Sequence, residues 1–190
     1  MGLVLIITRT FCYEDSKEKG HVMKRLIIVI ISIFAIISMI TSSGFSGEKE
    51  KAVKEIEKDG HFIAYDNGTV KDTKTGLIWA AKGNGKDISW KDAKAYCENY
   101  RAGGYDDWRM PTIEELQGLY DENKGYRVGC HKKASVHLTR LIQLSCFFVW
   151  SPKIKEDGSR ALLISFRNGR EYWHPPVLGM DRRVLPVRDN

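Results

Sequence analysis

The sequence predicts an α+β domain in which two helices pack on a twisted antiparallel sheet. Short apolar runs flank Asn67–Gly68 and Asn168–Gly169, and Asn-Gly between such runs is a strong hairpin signal. Between these two hairpins lie two segments with helix caps and helical apolar spacing. Strands, then helices, then strands again are typical of an α+β fold.

The composition describes a globular protein with one modest core. The chain has 190 residues, 43% hydrophobic and 28% charged, with five tryptophans. The formal net charge of +6 is mild, and the basic residues are scattered rather than gathered in a dense stripe. We therefore expect no nucleic-acid partner.

A secretory signal peptide is expected at residues 23–46. Met23-Lys24-Arg25 supplies a positive start, an unbroken apolar run from Leu26 to Ile40 follows, and small and polar residues lead to Gly47. The apolar run is shorter than the ~20 residues that span a bilayer. We therefore expect this signal to be cleaved. The alternative is an uncleaved membrane anchor, which would be the one contact with a membrane that the sequence predicts.

Residues 1–22 are interpreted as a misassigned N-terminal extension, with Met23 as the true start. They place a charged stretch ahead of the positive start, which export signals rarely carry. The expected localisation is the periplasm or the outside of the cell.

Residues 47–60 are expected to form a charged linker or a short helix. Charges alternate along this segment, and Glu50 and Lys54 lie one helical turn apart. The folded domain is then expected to occupy residues 61–190.

Three strands are expected at the start of this domain. Phe62–Tyr65 and Thr69–Asp72 flank the first Asn-Gly turn, and Leu77–Ala81 reads as a buried strand after a turn at Thr75-Gly76.

The first helix is expected to begin after Ser89, which can cap it together with Asp92. Its apolar face comprises Trp90, Ala93, Cys97 and Tyr100, and Gly103-Gly104 is expected to end it. The second helix is expected to begin at Thr112, with Glu115 at the reciprocal capping position and Pro111 just before it. Its buried face is expected to comprise Ile113, Leu116 and Tyr120.

The connection between the helices, GGYDDWRMPTIEEL, is interpreted as architecture. Trp108 is expected to fill the core and Arg109 to pair with an acid. Asp106 and Asp107 resemble paired carboxylates, but adjacent residues in a turn point in different directions, and no nucleophile or metal partner lies nearby.

The remaining elements are expected to be one short helix and four strands. Val136–Ile142 has the apolar spacing of a short helix. The expected strands are Cys146–Trp150, Ala161–Phe166, Glu171–His174 and a closing strand Val184–Arg188, whose Pro186 fits an edge or terminal strand.

Several blocks of the chain resemble the Lcl C-terminal-like domain, found at the C-terminus of the Legionella collagen-like adhesin. The matching landmarks are Asp72-x-x-Thr75-Gly76-Leu77-x-Trp79, Trp90-x-x-Ala93-x-x-x-Cys97, Gly104-Tyr105-x-Asp107-Trp108-Arg109-x-Pro111-Thr112-x-x-Glu115-Leu116, Trp150-Ser151, Phe166-x-x-Gly169 and Val184-x-x-Val187-Arg188. The resemblance covers about residues 62–188. Trp79, Trp90, Trp108, Arg109 and Pro111 are its expected structural residues.

The resemblance implies a C-type-lectin-like fold, which this family shares with the formylglycine-generating enzymes. Two helices would pack on a twisted antiparallel sheet whose first and last strands pair. Ligands of such folds usually meet the loops and strand faces of the second half. The calcium-dependent sugar signatures of lectins are absent from this sequence, so no metal and no cofactor are expected.

Residues 47–190 contain three cysteines, and in an oxidising compartment an odd number implies one bridge and one free thiol. Members of the family often carry a cysteine in the closing strand that can bridge to the one on the first helix. Here the matching position is Pro186, so the resemblance leaves Cys97 as a buried thiol. Cys130 and Cys146 then become the expected disulfide.

The expected function is that of an exported, non-catalytic binding module of the bacterial cell envelope. Its candidate binding residues are Arg170, Glu171, Tyr172, Trp173 and His174, because an aromatic strand with flanking charge can stack on a sugar ring or hold a peptide. The partner would be a glycan or an envelope protein. The plainer alternative is that Tyr172 and His174 line an ordinary strand while Trp173 fills the core.

Two other functions remain open at this point. One is a thiol-dependent oxidase related to the formylglycine-generating enzymes, for which Cys130 and Cys146 are the available pair. They lack the rest of that motif, however, and the sequence contains no zinc-ligand spacing or nucleophile signature. The other is a structural or assembly domain that works through protein contacts.

Overall fold

The computed structural model describes residues 52–131, 134–177 and 179–190. The expected signal peptide at residues 23–46 and the extension at residues 1–22 lie outside these ranges. Within the described residues, no helix is long and apolar enough to cross a membrane.

Over the described residues the protein is α+β, as predicted, with two α-helices and mostly antiparallel sheets. The strands are β1 (Glu55–Asp59), β2 (Phe62–Tyr65), β3 (Thr69–Asp72), β4 (Ile78–Ala80), β5 (Tyr126–Arg127), β6 (Ser135–Val136), β7 (Phe148–Ile154), β8 (Ala161–Ser165), β9 (Arg170–His174), β10 (Arg182–Arg183) and β11 (Val187–Arg188); the helices are α1 (Trp90–Glu98) and α2 (Ile113–Leu119).

Five strands form an N-terminal sheet in the order β1-β2-β3-β4-β11, and every pair in it is antiparallel. Gly68 and Gly76 have positive φ angles in the turns that follow β2 and β3, as the sequence signals predicted. The last strand pairs with β4 rather than with the first strand, which corrects the expected pairing. The short turns lay β1 to β4 side by side, so the edge of β4 is the one that β11 fills.

A second, C-terminal sheet has the order β10-β7-β8-β9. The strands β7, β8 and β9 are antiparallel neighbours, whereas β10 runs parallel to β7. A single sheet was expected, and this expectation is wrong. Because β11 occupies the free edge of β4, the strands β7 to β9 pair among themselves instead. A two-stranded ribbon of β5 and β6 completes the described sheets.

Residues 55–59 form a strand, which corrects the expectation of a charged linker or short helix for residues 47–60. Four of the five side chains of β1 are exposed, and the strand is held by backbone pairing with β2. An edge strand of this kind buries almost no side chain, so its sequence lacks the apolar alternation that marks a strand.

The helices follow from their caps. The hydroxyl of Ser89 accepts a hydrogen bond from the amide of Asp92, and α1 ends at Glu98, before the two glycines that were expected to end it. The predicted capping box of α2 is confirmed, because Thr112 and Glu115 each accept a hydrogen bond from the other's backbone amide. Leu119, not Tyr120, completes the buried face of α2.

The corner between the helices is part of the core, as predicted. Trp108 is 3% exposed and donates its indole N–H to the carbonyl of Ala102 at 3.2 Å. Arg109 donates to both carboxylate oxygens of Glu115, at 2.8 and 2.9 Å, and to Asp189 at 2.8 Å. Gly103 has φ +70°, and a Cβ there would lie 2.8 Å from the methyl group of Thr69, so the corner requires glycine at this position.

The other structural tryptophans lie in or against the cores. Trp79 is 1% exposed and its indole nitrogen has no hydrogen-bond partner among the described residues. Trp90 is half-buried and donates to the carbonyl of Ser151 at 2.9 Å. Pro111 is buried beside the start of α2.

No helix forms at residues 136–142, so that expectation is wrong. The segment is irregular after β6, although Leu138, Leu141 and Ile142 are buried. The hydroxyl of Tyr126 donates to the carbonyl of Ile142 and accepts from the amide of Leu144. These hydrogen bonds satisfy backbone groups that would be paired within a helix. The apolar spacing of residues 136–142 therefore indicates buried side chains, not a helix.

The strand β8 of the C-terminal sheet is buried on both faces. The strand β8 has five buried residues; Leu163 packs with Trp150 and the Ala93–Cys97 face of α1, while Leu162 belongs to the main core with Leu116 of α2. One sheet therefore separates two apolar clusters, with a helix on each side.

The Cys130–Cys146 disulfide is present, with a Cα–Cα distance of 5.4 Å, and Cys97 is a fully buried free thiol. Both outcomes agree with what the family resemblance implied. Burial raises the pKa of Cys97 far above the usual range of a thiol, with a smaller contribution from Glu98, so the group is inert at neutral pH.

Candidate functional site

The five candidate residues Arg170–His174 form β9, the edge strand of the C-terminal sheet. Its register with β8 pairs Tyr172 with Leu163 and His174 with Ala161. Because side chains alternate along a strand, the exposed Arg170 shares one face with Tyr172 and His174, while Glu171 and Trp173 share the other. The structure thus separates the five residues into two groups.

Tyr172 and His174 join Phe148 of β7 in an aromatic cluster. The ring centroid of Phe148 lies 5.8 Å from that of Tyr172 and 5.6 Å from that of His174. The rings of Tyr172 and His174 are 6.4 Å apart. All three side chains are half-buried, so each ring is held by its neighbours and still offers part of its surface to solvent.

Arg182 borders the aromatic cluster. Its guanidinium lies 5.4 Å from the ring centroid of the buried Trp150, and its Nη2 donates to Nδ1 of His174 at 3.1 Å. Its Nη1 donates to the backbone carbonyl of Val177 at 3.0 Å. The arginine is therefore fixed in place by a cation–π contact and by hydrogen bonds, and it brings a positive charge to the margin of the cluster.

His174 is neutral at neutral pH. Burial lowers its pKa, and the positive charges of Arg182 and Arg160 lower it further. Since Nδ1 accepts the hydrogen bond from Arg182, the ring proton is assigned to Nε2. The imidazole can thus offer one donor to a ligand without adding a second charge.

The opposite face of β9 is committed to structure. Trp173 is half-buried against the main core, with the Lys155 ammonium 5.5 Å from its ring centroid. The carboxylate of Glu171 accepts a hydrogen bond from Gln117 of α2. These contacts agree with the plainer alternative for Trp173. On the other face, Tyr172 packs in part against the second apolar cluster and its hydroxyl accepts from Asn168, while both Tyr172 and His174 stay partly exposed.

The segment after β9 adds exposed apolar side chains. Val177 and Met180 are 62% and 82% exposed. Large apolar side chains with this much exposure can contribute contact area to a binding surface. Asp181 follows with φ +69°, a left-handed backbone for a residue other than glycine.

Two clefts in the structure lie elsewhere. One, of about 380 Å³, is lined by His61, Phe62, Lys74 and the residues that follow α2. The other, of about 400 Å³, lies on the far side of the Lys124–Asp59 ion pair and is lined in part by Arg140. Neither contains a residue of β9.

A further group of reactive side chains surrounds the disulfide. The Sγ atoms of Cys130 and Cys146 and a carboxylate oxygen of Asp181 lie within 4.8 Å of one another. Nε2 of His131 lies 2.7 Å from Oδ2 of Asp181. While the sulfurs are joined to each other they are not thiolates, the form in which cysteine holds a metal.

Sequence reasoning found half of the aromatic face and missed the rest. Phe148 stands two residues before Trp150, and strand alternation across the C-terminal sheet is a signal that could have placed it beside Tyr172. Arg182 carried no such signal, because its contact depends on how residues 175–181 turn back.

A family model described as the Lcl C-terminal domain matches residues 68–188 of the chain. No curated protein matches the chain. The matched range runs from the turn before β3 to β11 and includes the aromatic cluster, the corner and the disulfide.

Proposed function

The chain belongs to the Lcl C-terminal domain family, and from this premise we propose that it is an exported, non-catalytic binding module of the bacterial cell envelope. It recognises a glycan or a protein through the aromatic cluster of Phe148, Tyr172 and His174, with Arg182 at its margin. The observation that carries the proposal is this fixed, half-buried aromatic face, two of whose three rings lie on the edge strand β9.

The cluster has the chemistry of a recognition surface. Its rings supply contact area and lose little conformational freedom on binding, since their packing already restricts them. Arg182 supplies a fixed charge, and a neutral His174 supplies a hydrogen-bond donor. Such a surface suits either the apolar face of a sugar ring or an aliphatic side chain with a polar neighbour.

Export rests on the signal-like segment at residues 23–46 and is supported by the disulfide. Disulfides persist in oxidising compartments, and Cys130–Cys146 is one. Kinship with C-type-lectin-like folds is likewise part of the proposal: two helices on mostly antiparallel sheets suit that architecture.

The direct test uses the purified exported protein against a panel of glycans and against envelope extract. Tyr172→Ala and His174→Ala are expected to weaken the interaction at least about tenfold, as is typical of central aromatic contacts. Tyr65→Ala is the matched control, because Tyr65 is also a half-buried strand tyrosine but lies in the N-terminal sheet.

The two ligand classes separate in the same experiment. Retention on glycans that the Tyr172→Ala variant loses supports a glycan ligand, and capture of one envelope protein with the same loss supports a protein ligand. Undiminished binding by both cluster variants would remove the aromatic cluster as the binding surface. The assembly function would then be the better account, with protein contacts elsewhere on the domain.

A further inference from the structure

The disulfide differs from a purely structural bridge in the groups beside it. A carboxylate oxygen of Asp181 lies within 4.8 Å of both sulfurs. This carboxylate is also hydrogen-bonded to the ring of His131, the residue that follows Cys130. A bonded pair of titratable groups therefore faces the sulfur–sulfur bond, at a distance that one bridging water spans.

The two sulfurs differ in access. Cys130 is half-buried, whereas Cys146 is fully buried in the main core beside Phe147. The neighbouring His131 side chain is 57% exposed and the Asp181 side chain 21% exposed. An incoming thiolate thus meets Cys130 first, and the sulfur that would leave is the buried one.

The backbone of Asp181 is held in place by a separate contact. The backbone amide of Asp181 donates to Oδ1 of Asp87 at 2.9 Å, and Asp87 is paired with Arg183 of β10. The left-handed backbone of Asp181 turns the chain at this point. Aspartate and asparagine are the residues that tolerate such a conformation best after glycine.

We propose that the Cys130–Cys146 disulfide is a thiol–disulfide exchange site that oxidises a protein dithiol. One thiolate of the substrate attacks Sγ of Cys130, forming a mixed disulfide while the bond to Cys146 breaks. The electron pair of that bond leaves with Sγ of Cys146, which takes up a proton from the His131–Asp181 pair. This exchange is stoichiometric rather than catalytic, because the chain supplies one disulfide as the oxidant, and it is separate from ligand binding at the aromatic cluster.

The second half of the reaction returns the substrate oxidised. The other substrate thiol loses its proton to solvent and attacks the substrate sulfur of the mixed disulfide. Cys130 leaves as a thiolate and is protonated by solvent. Two electrons thus pass from the dithiol to the protein, while the two protons of the dithiol go to solvent. Solvent supplies the proton of Cys130 and returns one to the His131–Asp181 pair, so the protein ends with free thiols at Cys130 and Cys146.

The first test follows reduction of the oxidised full-length chain by dithiothreitol at neutral pH, with alkylation and intact mass as the readout. Oxidised glutathione in the same tube is the reference. The proposal expects a second-order rate within about tenfold of the reference or faster, unchanged by sub-denaturing urea. A rate more than about tenfold below that of oxidised glutathione, or a rate that rises with urea, shows that the disulfide is reduced only when the protein unfolds. Either result overturns the proposal.

The second test separates a proton donor from a structural contact. Asp181→Asn keeps the shape of the side chain and suits the left-handed backbone. If the Asp181 carboxylate only holds the loop in place, replacing it loosens the loop, and the disulfide then exchanges as fast as in the wild type or faster. The proposal expects exchange at least about tenfold slower, with Asp157→Asn, an exposed turn residue, as the unchanged control. An undiminished rate in the Asp181→Asn variant overturns it.

The order of attack is tested with single-cysteine variants. Cys146→Ser leaves the accessible Cys130, which is expected to form a mixed disulfide with oxidised glutathione at least about tenfold faster than Cys146 does in Cys130→Ser. Equal rates, or the reverse order, would contradict the assignment. Glycan and envelope binding by these variants is measured in parallel, so failure here is distinguishable from failure of the proposed binding function.

Discussion

Glu115 shows how one side chain can serve two purposes in the corner between the helices. It closes the capping box with Thr112 and accepts both hydrogen bonds of the Arg109 fork. Burial by itself would raise the pKa of Glu115, but the hydrogen bonds from Arg109 and Thr112 outweigh it, so the pKa is lowered below its ordinary value of 4.5. The charged form is therefore the one that the fold stabilises.

The pH dependence of this contribution follows from that sign. A carboxyl whose folded pKa is lowered stabilises the fold above its unfolded pKa, and the contribution is lost as the pH falls through the folded value. We expect Glu115→Gln to cost roughly 1 kcal/mol at neutral pH, a modest figure because Arg109 is partly exposed. The difference from wild type should shrink toward zero as urea unfolding is repeated from neutral pH down to about pH 3. A constant difference would contradict the assignment.

Cys97 should be chemically silent in the folded protein. Its sulfur is fully buried and burial raises its pKa, so both access and thiolate are lacking. We expect iodoacetamide to leave the native, oxidised chain unlabelled at Cys97 and to label it once urea unfolds the protein. Peptide mass spectrometry of residues 52–190 measures this, and labelling of Cys97 without urea would show that α1 opens locally.

Two of the four residues of the candidate site, Tyr172 and His174, were predicted from the sequence. Tyr172 and His174 could be chosen because aromatic side chains on a strand near the end of the chain are candidates for recognition. The sequence could not separate them from Trp173, since only the pairing of β9 with β8 decides which face each side chain takes. Arg182 could not be predicted, because its position depends on three backbone and side-chain partners.

Caps were the most informative signals for whole elements. Both helices begin where Ser89 and Thr112 predicted, because a cap satisfies backbone amides that would otherwise lack a partner. Apolar spacing was less reliable. It predicted a helix at residues 136–142, where burial is achieved by an irregular segment, and it gave no sign of β1, whose side chains are almost all exposed.

The cap of α2 gives a direct prediction. Thr112→Ala removes the hydroxyl that accepts from the amide of Glu115, and we expect a loss of about 1 kcal/mol in the free energy of unfolding. Thr112→Ser retains the hydroxyl and is expected to stay near wild type. Urea unfolding followed by circular dichroism provides the measurement, and an equal loss in both variants would mean that the methyl group, not the cap, carries the effect.

The two sheets should unfold together. The main apolar core contains Val70 and Trp79 of the N-terminal sheet together with Leu162 and Ile164 of the C-terminal sheet, and α2 packs into the same cluster. A shared core of this kind favours a single cooperative transition. We expect tryptophan fluorescence and far-ultraviolet circular dichroism to give superimposable urea curves. Two separated midpoints would show that each sheet has its own stability.

The placement of β11 has a consequence for the order of events during synthesis. The edge of β4, near residue 79, is completed by residues 187–188, and Arg109 gains its bond to Asp189 from the same stretch. A ribosome must therefore have synthesised residues 187–188 before the N-terminal sheet can close. Until then the edge of β4 lacks its partner strand, and an unpaired strand edge on a nascent chain is prone to aggregation, which is one reason chaperones are needed.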